Sequence, residues 1–297
     1  MGNNETSGGN AKGKWILLAI VVAIAVGAYH FWLSPEVRSE NYYKEGEKII
    51  KYSRYVLTTE ETEAAIAAYT KAIDLNPKNS KAYAARAFIR SNWDREYDKA
   101  FADCEKAIEL DPRNSDAYWV RGAVYNAWKK DKEKALADFN QAIALNPKNV
   151  KARNGRAFFY RVDLKDYENA IADYTAIIQN KDADVYDKAH AYSDRGGIYE
   201  QQGNLVSAIE NYTKALEMRE NSLDYDYRGS CYMKQGDYKQ AVADYTKAIE
   251  LYPEGPLLYV ARSEAYRLLG NTTQAEADLA KANELFEKNK QEYEKHK

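Results

Sequence analysis

From about residue 41 onward, apolar and small residues recur at helical rather than strand spacing, and the pattern itself repeats. One phrase, AIAAYTKAIDLNPKN, begins at Ala65. Related phrases begin at Ala100, Ala135, Ala170, Ala208, Ala241 and Ala275, at intervals of 35, 35, 35, 38, 33 and 34 residues. A second amphipathic phrase precedes each copy, as in YWVRGAVY at Tyr118, YSDRGGIY at Tyr192, YDYRGSCY at Tyr225 and YVARSEAY at Tyr259. Degenerate versions begin at Tyr42, Tyr83 and Arg153. A turn such as Gln235-Gly236-Asp237 separates the two phrases, and Pro77, Pro112, Pro147 and Pro253 end the second. Each unit is therefore predicted to be a helical hairpin, with about seven of them over residues 36–286 and a charged helical extension over 287–297.

Comparing the copies assigns roles to positions. Gly122, Gly196 and Gly229, or Ala87 and Ala157, leave room for the partner helix, as do Ala100, Ala135, Ala170, Ala208 and Ala241 from the other side. Tyr69, Phe139, Tyr174, Tyr212 and Tyr245 fill the remaining volume. Apolar pairs on the second helix, from Ile66/Ile73 and Phe101/Ile108 through Leu136/Ile143 and Ile171/Ile178 to Ile209/Leu216 and Val242/Ile249, should cover the next hairpin. In the last copy those places hold Glu276 and Asn283, the polar outer face that a terminal repeat requires. Arg86, Arg121, Arg156, Arg228 and Arg262 precede the small residue of the first helix, and Asp103, Asp138, Asp173, Asp244 and Asp278 share one place in the second. An Arg–Asp pair inside each hairpin is expected, with Arg195 and Asn211 as the exception. Two irregularities stand out: about seven extra residues near 52–62, and a longer link through Val185 after the fourth copy, which has Asp182 where a closing proline is expected.

These residues resemble the tetratricopeptide repeat family, whose 34-residue unit carries this small-residue and aromatic pattern. The resemblance implies an all-α, right-handed α-solenoid. It also implies that first helices line a concave face that receives partner proteins or peptides. On that face it places Phe88, Ser91 and Asn92, then Trp119, Ala123 and Asn126, then Asn154, Phe158 and Arg161. Later copies contribute Ser193, Gly197 and Glu200, then Asp226, Ser230 and Met233. Phe88, Trp119 and Phe158 flanked by Asn92, Asn126, Asn154 and Arg161 would form a peptide-binding strip, since aromatic anchors beside amide donors grip extended chains. The competing reading is that the three aromatics are core between repeats. Trp93 and Trp128, one copy apart at the helix bend, are expected to be stacked structural residues instead of a second site. The Lys/Asn carboxylate clamp by which some family members hold chaperone tails is missing, because Tyr43, Glu47 and Ala85 stand at its places. Sequons at Asn211 and Asn271 lie in or beside second helices and are expected to be accidental.

The N-terminal end obeys a different pattern. Residues 15–33, WILLAIVVAIAVGAYHFWL, contain no Asp, Glu, Lys or Arg. As a helix they would be about 28 Å long, close to the thickness of a bilayer core, with aromatic residues at both ends and Pro35 as a stop. A single-pass transmembrane helix over 15–34 is predicted, contacting the lipid bilayer through 15–33, after a flexible Gly/Asn-rich tail over 1–14. A cleaved signal peptide, with Lys12 and Lys14 as its basic region, is the alternative. The Met1-Gly2…Thr6 myristoylation pattern adds little beside a span. Lys12 and Lys14 favour a cytoplasmic N-terminus, hence a bacterial inner-membrane protein with its repeats in the periplasm. The opposite topology puts the repeats in the cytosol, as in an organelle import or adaptor receptor.

Composition narrows the function. Charged residues are 30% of the 297 with a net charge of −2, which gives no field to recruit nucleic acid. Tyrosines number 26 against seven phenylalanines, consistent with a repeated motif that uses one residue at fixed places. Cys104 and Cys231 lie too far apart for a disulfide and read as small core residues. His30, His190 and His296 cannot share a metal site or a catalytic cluster. The expectation is a membrane-anchored interaction scaffold, with no enzyme activity, cofactor or metal. A homo-oligomeric structural component of a membrane assembly is the second reading.

Overall fold

The computed structural model describes residues 34–52 and 57–295. Among them the chain is all α, with fourteen α-helices and no strand. The N-terminal tail and nearly all of the predicted span over 15–34 lie outside the described residues. Among those described, no helix is long and apolar enough to cross a membrane.

The helices pair in chain order. They are α1 (Pro35–Tyr52) with α2 (Thr59–Leu75), α3 (Ser80–Ile89) with α4 (Tyr97–Leu110), and α5 (Ser115–Val124) with α6 (Lys132–Leu145). Then come α7 (Val150–Phe159) with α8 (Tyr167–Gln179), α9 (Val185–Gln201) with α10 (Leu205–Met218), α11 (Ser222–Gln235) with α12 (Tyr238–Leu251), and α13 (Pro256–Leu268) with α14 (Thr272–Lys295). Two compact units result, one ending at Asn146 and holding three hairpins, the other beginning at Pro147 and holding four. The longer link predicted through Val185 is shorter in the structure, because Val185 already opens α9 and the Asp184 carboxylate accepts the Asp187 N–H at 2.7 Å.

Local chemistry sets the helix starts. In the recurrent Asn-Pro-Lys-Asn phrase and its variants the last asparagine is a cap. Asn79, Asn114 and Asn149 accept the N–H groups of Ala82, Ala117 and Ala152 at 3.0–3.1 Å. Second helices start the same way on Asp131, Asp166, Asn204 and Asp237. Helix ends differ along the chain. Helices α3, α5 and α7 run into five-residue π turns, Arg90–Asp94, Tyr125–Lys129 and Tyr160–Leu164. These close on Arg95, Lys130 and Lys165 in the left-handed region, with φ of 53°, 54° and 58°. Helices α9, α11 and α13 are followed instead by Gly203, Gly236 and Gly270, with φ of 76°, 81° and 80°.

The core repeats with the sequence. In the first unit, Ala65, Tyr69 and Ile89 are buried together, and Ile66 packs against them, so α2 meets α3 of the following hairpin. Ile108 packs against Ala84, Ala107 and Ala117, which joins α4 to α5 in the same way. In the second unit, Ile171 and Ile178 pack on a cluster that includes Ala191 and Ile198 of the next hairpin. Full burial of an isoleucine side chain stabilises by roughly 1.5–3 kcal/mol, and these half-buried flanks gain a part of that. At the end of the array Glu276 and Asn283 are exposed on α14.

Arginine anchors orient the first helices from α3 onward. Arg86, Arg121, Arg156, Arg228 and Arg262 each donate two hydrogen bonds, Nε to Oδ2 and Nη2 to Oδ1, to Asp103, Asp138, Asp173, Asp244 and Asp278 at 2.7–2.9 Å. The arginine side chains are at most 19% exposed and the aspartates at most 9%. Arg195 donates to Asn211 at 2.9 Å, as the copies implied. Several arginines have a further arm that was not foreseen. Nη1 of Arg86, Arg195, Arg228 and Arg262 donates to Thr70, Thr175, Thr213 and Thr246 of the preceding hairpin at 2.8–3.0 Å. One guanidinium thus joins three helices. Tyr83, Tyr118, Tyr192, Tyr225 and Tyr259, three residues before the arginines, lie under their guanidinium carbons at 5.3–5.8 Å, which accounts for part of the tyrosine excess.

Candidate partner-binding face

The arginine anchors fix which side of each first helix is left for other contacts. In the first unit that side is occupied by aromatic packing. The rings of Phe88 and Trp119 lie 5.1 Å apart on neighbouring hairpins, and Trp93 meets Phe88 edge-on at 5.4 Å. Phe88 and Trp119 are partly buried against Ala87, Cys104, Val120 and Val124, so much of their area is already used between repeats. Asn92 is exposed, but its amide donates to the Phe88 carbonyl of its own helix at 2.9 Å. Asn126 is half-buried. Trp93 and Trp128 do not stack on each other; Trp128, 44% exposed, meets Phe101 edge-on instead. Lys129 lies 3.9 Å over the Phe101 ring and 4.9 Å over that of Trp128.

In the second unit the corresponding side is open. Phe158 is 49% exposed, Asn154 is exposed, and Arg161 stacks over Phe158 at 5.4 Å. Beyond them lies a pocket of about 400 Å³. Its walls come from Arg161 after α7, from Ser193, Asp194, Gly197 and Glu200 on α9, and from Tyr227 and Lys234 on α11. Glu200 accepts from Lys234 at 2.6 Å and from the Tyr212 hydroxyl at 3.0 Å. Asp194 lies 3.3 Å from Arg161. Ser193 donates to the buried Asp224.

Charge is concentrated around this pocket. Burial pushes the Asp194 carboxyl above the ordinary carboxylate range, against the pull of Arg161. Burial also raises Asp226, and the negative charge of Glu200 adds to it. The Tyr227 phenol is raised by burial and then by Asp226, Asp224, Asp194 and Glu200 together. The sequence places Ser193, Gly197, Glu200 and Asp226 on the first-helix face, outside the strip of Phe88, Trp119 and Phe158. Asp194, Tyr227 and Lys234 were not singled out. The signal for them was in the copies: Lys234 falls where Asn92 falls, and Gly197 where Phe88 and Phe158 fall.

Other chemistry is sparse. Both cysteines are buried and free, and burial pushes the Cys231 thiol up to about 12. Among the described residues, no group of three or more His, Cys, Asp or Glu is placed to hold a metal ion.

Known proteins share this architecture. Among curated proteins, none matches the sequence. Among solved structures the chain is similar to PilW, a widely conserved type IV pilus biogenesis factor, with a TM-score of 0.60 and 20% identity over 70% of this chain and 93% of that one. It is equally similar to PilF of Pseudomonas aeruginosa, with a TM-score of 0.60 and 18% identity over 73% of this chain and 97% of that one. A tetratricopeptide repeat protein from Parabacteroides merdae follows, at 0.51 and 19% over 84% and 93%. At such identities the likeness concerns the fold. Family models described as tetratricopeptide repeat match residues 55–79, 68–102, 129–185, 160–222, 227–254 and 257–289, more than half of the chain. The chain belongs to the tetratricopeptide repeat family.

Proposed function

We propose that this protein is an interaction scaffold whose first-helix face binds segments of partner proteins, and that residues 15–33 anchor it in a bilayer. The observation that carries the binding role is the second unit's face, where Phe158 and Tyr227 remain exposed beside a pocket. Rings left in solvent next to convergent polar groups are what an interface hot spot requires. Phe158 lies under Arg161, and the Tyr227 ring also rests 5.7 Å from that of Tyr212 on the preceding hairpin. A repeat array is also a general platform on which partner choice resides in such surface positions, not in the fold.

The binding role is tested by pulldown with the full-length chain, compared with Phe158→Ala and Tyr227→Ala. Loss of the same partners from both variants, with unchanged thermal melting, is the expected result. Identical recovery from wild type and both variants would remove this face from the binding site. Phe88 and Trp119 are poorer probes than Phe158, because each also packs between repeats.

The anchor reading rests on the uncharged residues 15–33 and on Lys12 and Lys14 before them. It places the repeats in a bacterial periplasm. PilW and PilF, which share the fold, offer a bacterial precedent, one of them in pilus biogenesis. Retention in membranes after carbonate extraction, with an active alkaline phosphatase fused to the C-terminus, is the expected outcome. An inactive fusion of full length would put the repeats in the cytosol.

A further inference from the structure

The pocket of the second unit exists because a side chain is absent. Phe88 and Phe158 follow the small residue of their first helices, and at that place α9 has Gly197. A Cβ built there would meet only the Tyr212 hydroxyl, at 3.6 Å, so the space in front of the helix is open. Two carboxylates, Asp194 and Glu200, line the opening, and two more, Asp224 and Asp226, stand near enough to act on one of its walls. Asp194, Glu200, Asp224 and Asp226 all act on the Tyr227 phenol. The pocket wall supplies two cations, Arg161 and Lys234, already directed at Asp194 and Glu200. Asp226 is half-buried and makes no ion pair among the described residues.

A second observation points to a missing ligand. The Tyr174 side chain is fully buried, and its hydroxyl lies against Asp194 and Arg161. The Nε of Arg161 is buried without an acceptor. Buried polar groups left unpaired are uncommon in native proteins and call for a partner. An amide carbonyl would satisfy such a donor, and the Tyr227 ring, 41% exposed, offers its face to a cation.

We infer that this pocket receives an arginine or lysine side chain of the bound partner segment, seated over Tyr227 between Asp194, Glu200 and Asp226, with a main-chain carbonyl of the same segment facing Arg161. The inference rests on the reading of the first-helix face as the partner-binding surface and specifies the chemistry of what it binds.

The test is selection of random nonapeptides displayed on phage against the full-length chain, followed by fluorescence anisotropy with the selected peptides carrying fluorescein. A basic residue at one fixed position is expected. Its replacement by glutamine should weaken binding about tenfold, as loss of a charged hydrogen bond does. Gly197→Phe, which puts this chain's own Phe88 residue type into the opening, should weaken binding about tenfold or more. Asp226→Asn should weaken it severalfold. Asp226→Asn preserves shape, so the charge requirement is read even if Gly197→Phe perturbs the fold. Peptides that bind at Phe158 and Tyr227 but lack a basic residue, carry an acidic one instead, or bind Gly197→Phe as well as wild type would overturn this inference alone. Recovery of no peptide, or of peptides indifferent to Phe158→Ala and Tyr227→Ala, would overturn the partner-binding reading and the inference with it.

Discussion

Hairpins two to four and hairpins five to seven reach the same packing with chains of different length. In the former, arginine and aspartate are 17 residues apart; in the latter, arginine and its Asp or Asn partner are 16 apart. The additional residue would turn every following side chain by about 100° if the α-helix simply continued. It does not disturb the pairing, because it is taken up in a π turn at the end of α3, α5 and α7. Where it is absent, a glycine in the left-handed region ends the first helix. The contacts between helices are therefore the fixed quantity, and the helix end is what adjusts.

If the ion pair fixes the register in both regions, removing it should cost the same in both. Asp103→Ala and Asp244→Ala should each destabilise by about 3–5 kcal/mol, since each leaves a mostly buried guanidinium without its bidentate acceptor, with Asp103→Ala at the upper end because it also removes an acceptor of Arg90. Urea unfolding midpoints measure this. A loss below about 1 kcal/mol at Asp103, the level of an exposed pair, with a full loss at Asp244 would show that the π-turn hairpins are held by other means.

A smaller effect is expected where the two regions fill the hairpin differently. Ala87 is buried with Cys104, whereas Gly229 faces the ring of Tyr245. A Cβ at Gly229 would come within 2.9 Å of that ring. Gly229→Ala should therefore destabilise by roughly 1–3 kcal/mol despite the better helix propensity of alanine. Thermal melting that shows a gain instead would mean that Tyr245 moves aside without cost.

The repeat, the paired helices and the Arg–Asp partners were legible because seven copies in one chain act as their own comparison. The apolar pair that ends in Ile108 could be assigned to the next hairpin for the same reason, and so could the polar Glu276 and Asn283. The π turns were visible only as intervals of 35 where 34 is usual, a difference that carries no geometry until one knows which end of the hairpin absorbs it. The threonine arm of the arginines escaped notice because it joins a residue to the preceding hairpin, outside the unit being compared. The candidate site was the least legible part. Phe88 and Phe158 occupy one register position, yet Phe88 packs on Trp119 while Phe158 is exposed. Spacing along a first helix does not separate the side facing a neighbouring hairpin from the side facing a ligand. The pocket depends on a glycine and on carboxylates brought together from two helices, neither of which stands out in a linear pattern.

The helix ends themselves allow a finer test, because the two regions should respond in opposite directions. At Gly236 an added Cβ would touch nothing within 4 Å, so Gly236→Ala is opposed by backbone conformation alone. It should lose about 1 kcal/mol, the penalty of a left-handed residue with a side chain less the entropy that alanine removes from the unfolded chain.

Lys130 is the reciprocal case and the smallest effect expected here. It already bears the left-handed penalty at φ 54°, following the π turn Tyr125–Lys129, and its side chain is exposed. Lys130→Gly removes about 1–2 kcal/mol of steric cost and restores part of it through the greater freedom of glycine in the unfolded state. A net gain of about 0.5 kcal/mol should follow, readable as a rise in the urea midpoint with an unchanged slope. A loss of similar size would mean that the lysine side chain, not the turn geometry, holds the end of α5 in place. The π turn would then be maintained by contacts such as the neighbouring Lys129 over Phe101, and the adjustable helix end would be a built feature instead of a passive accommodation of one extra residue.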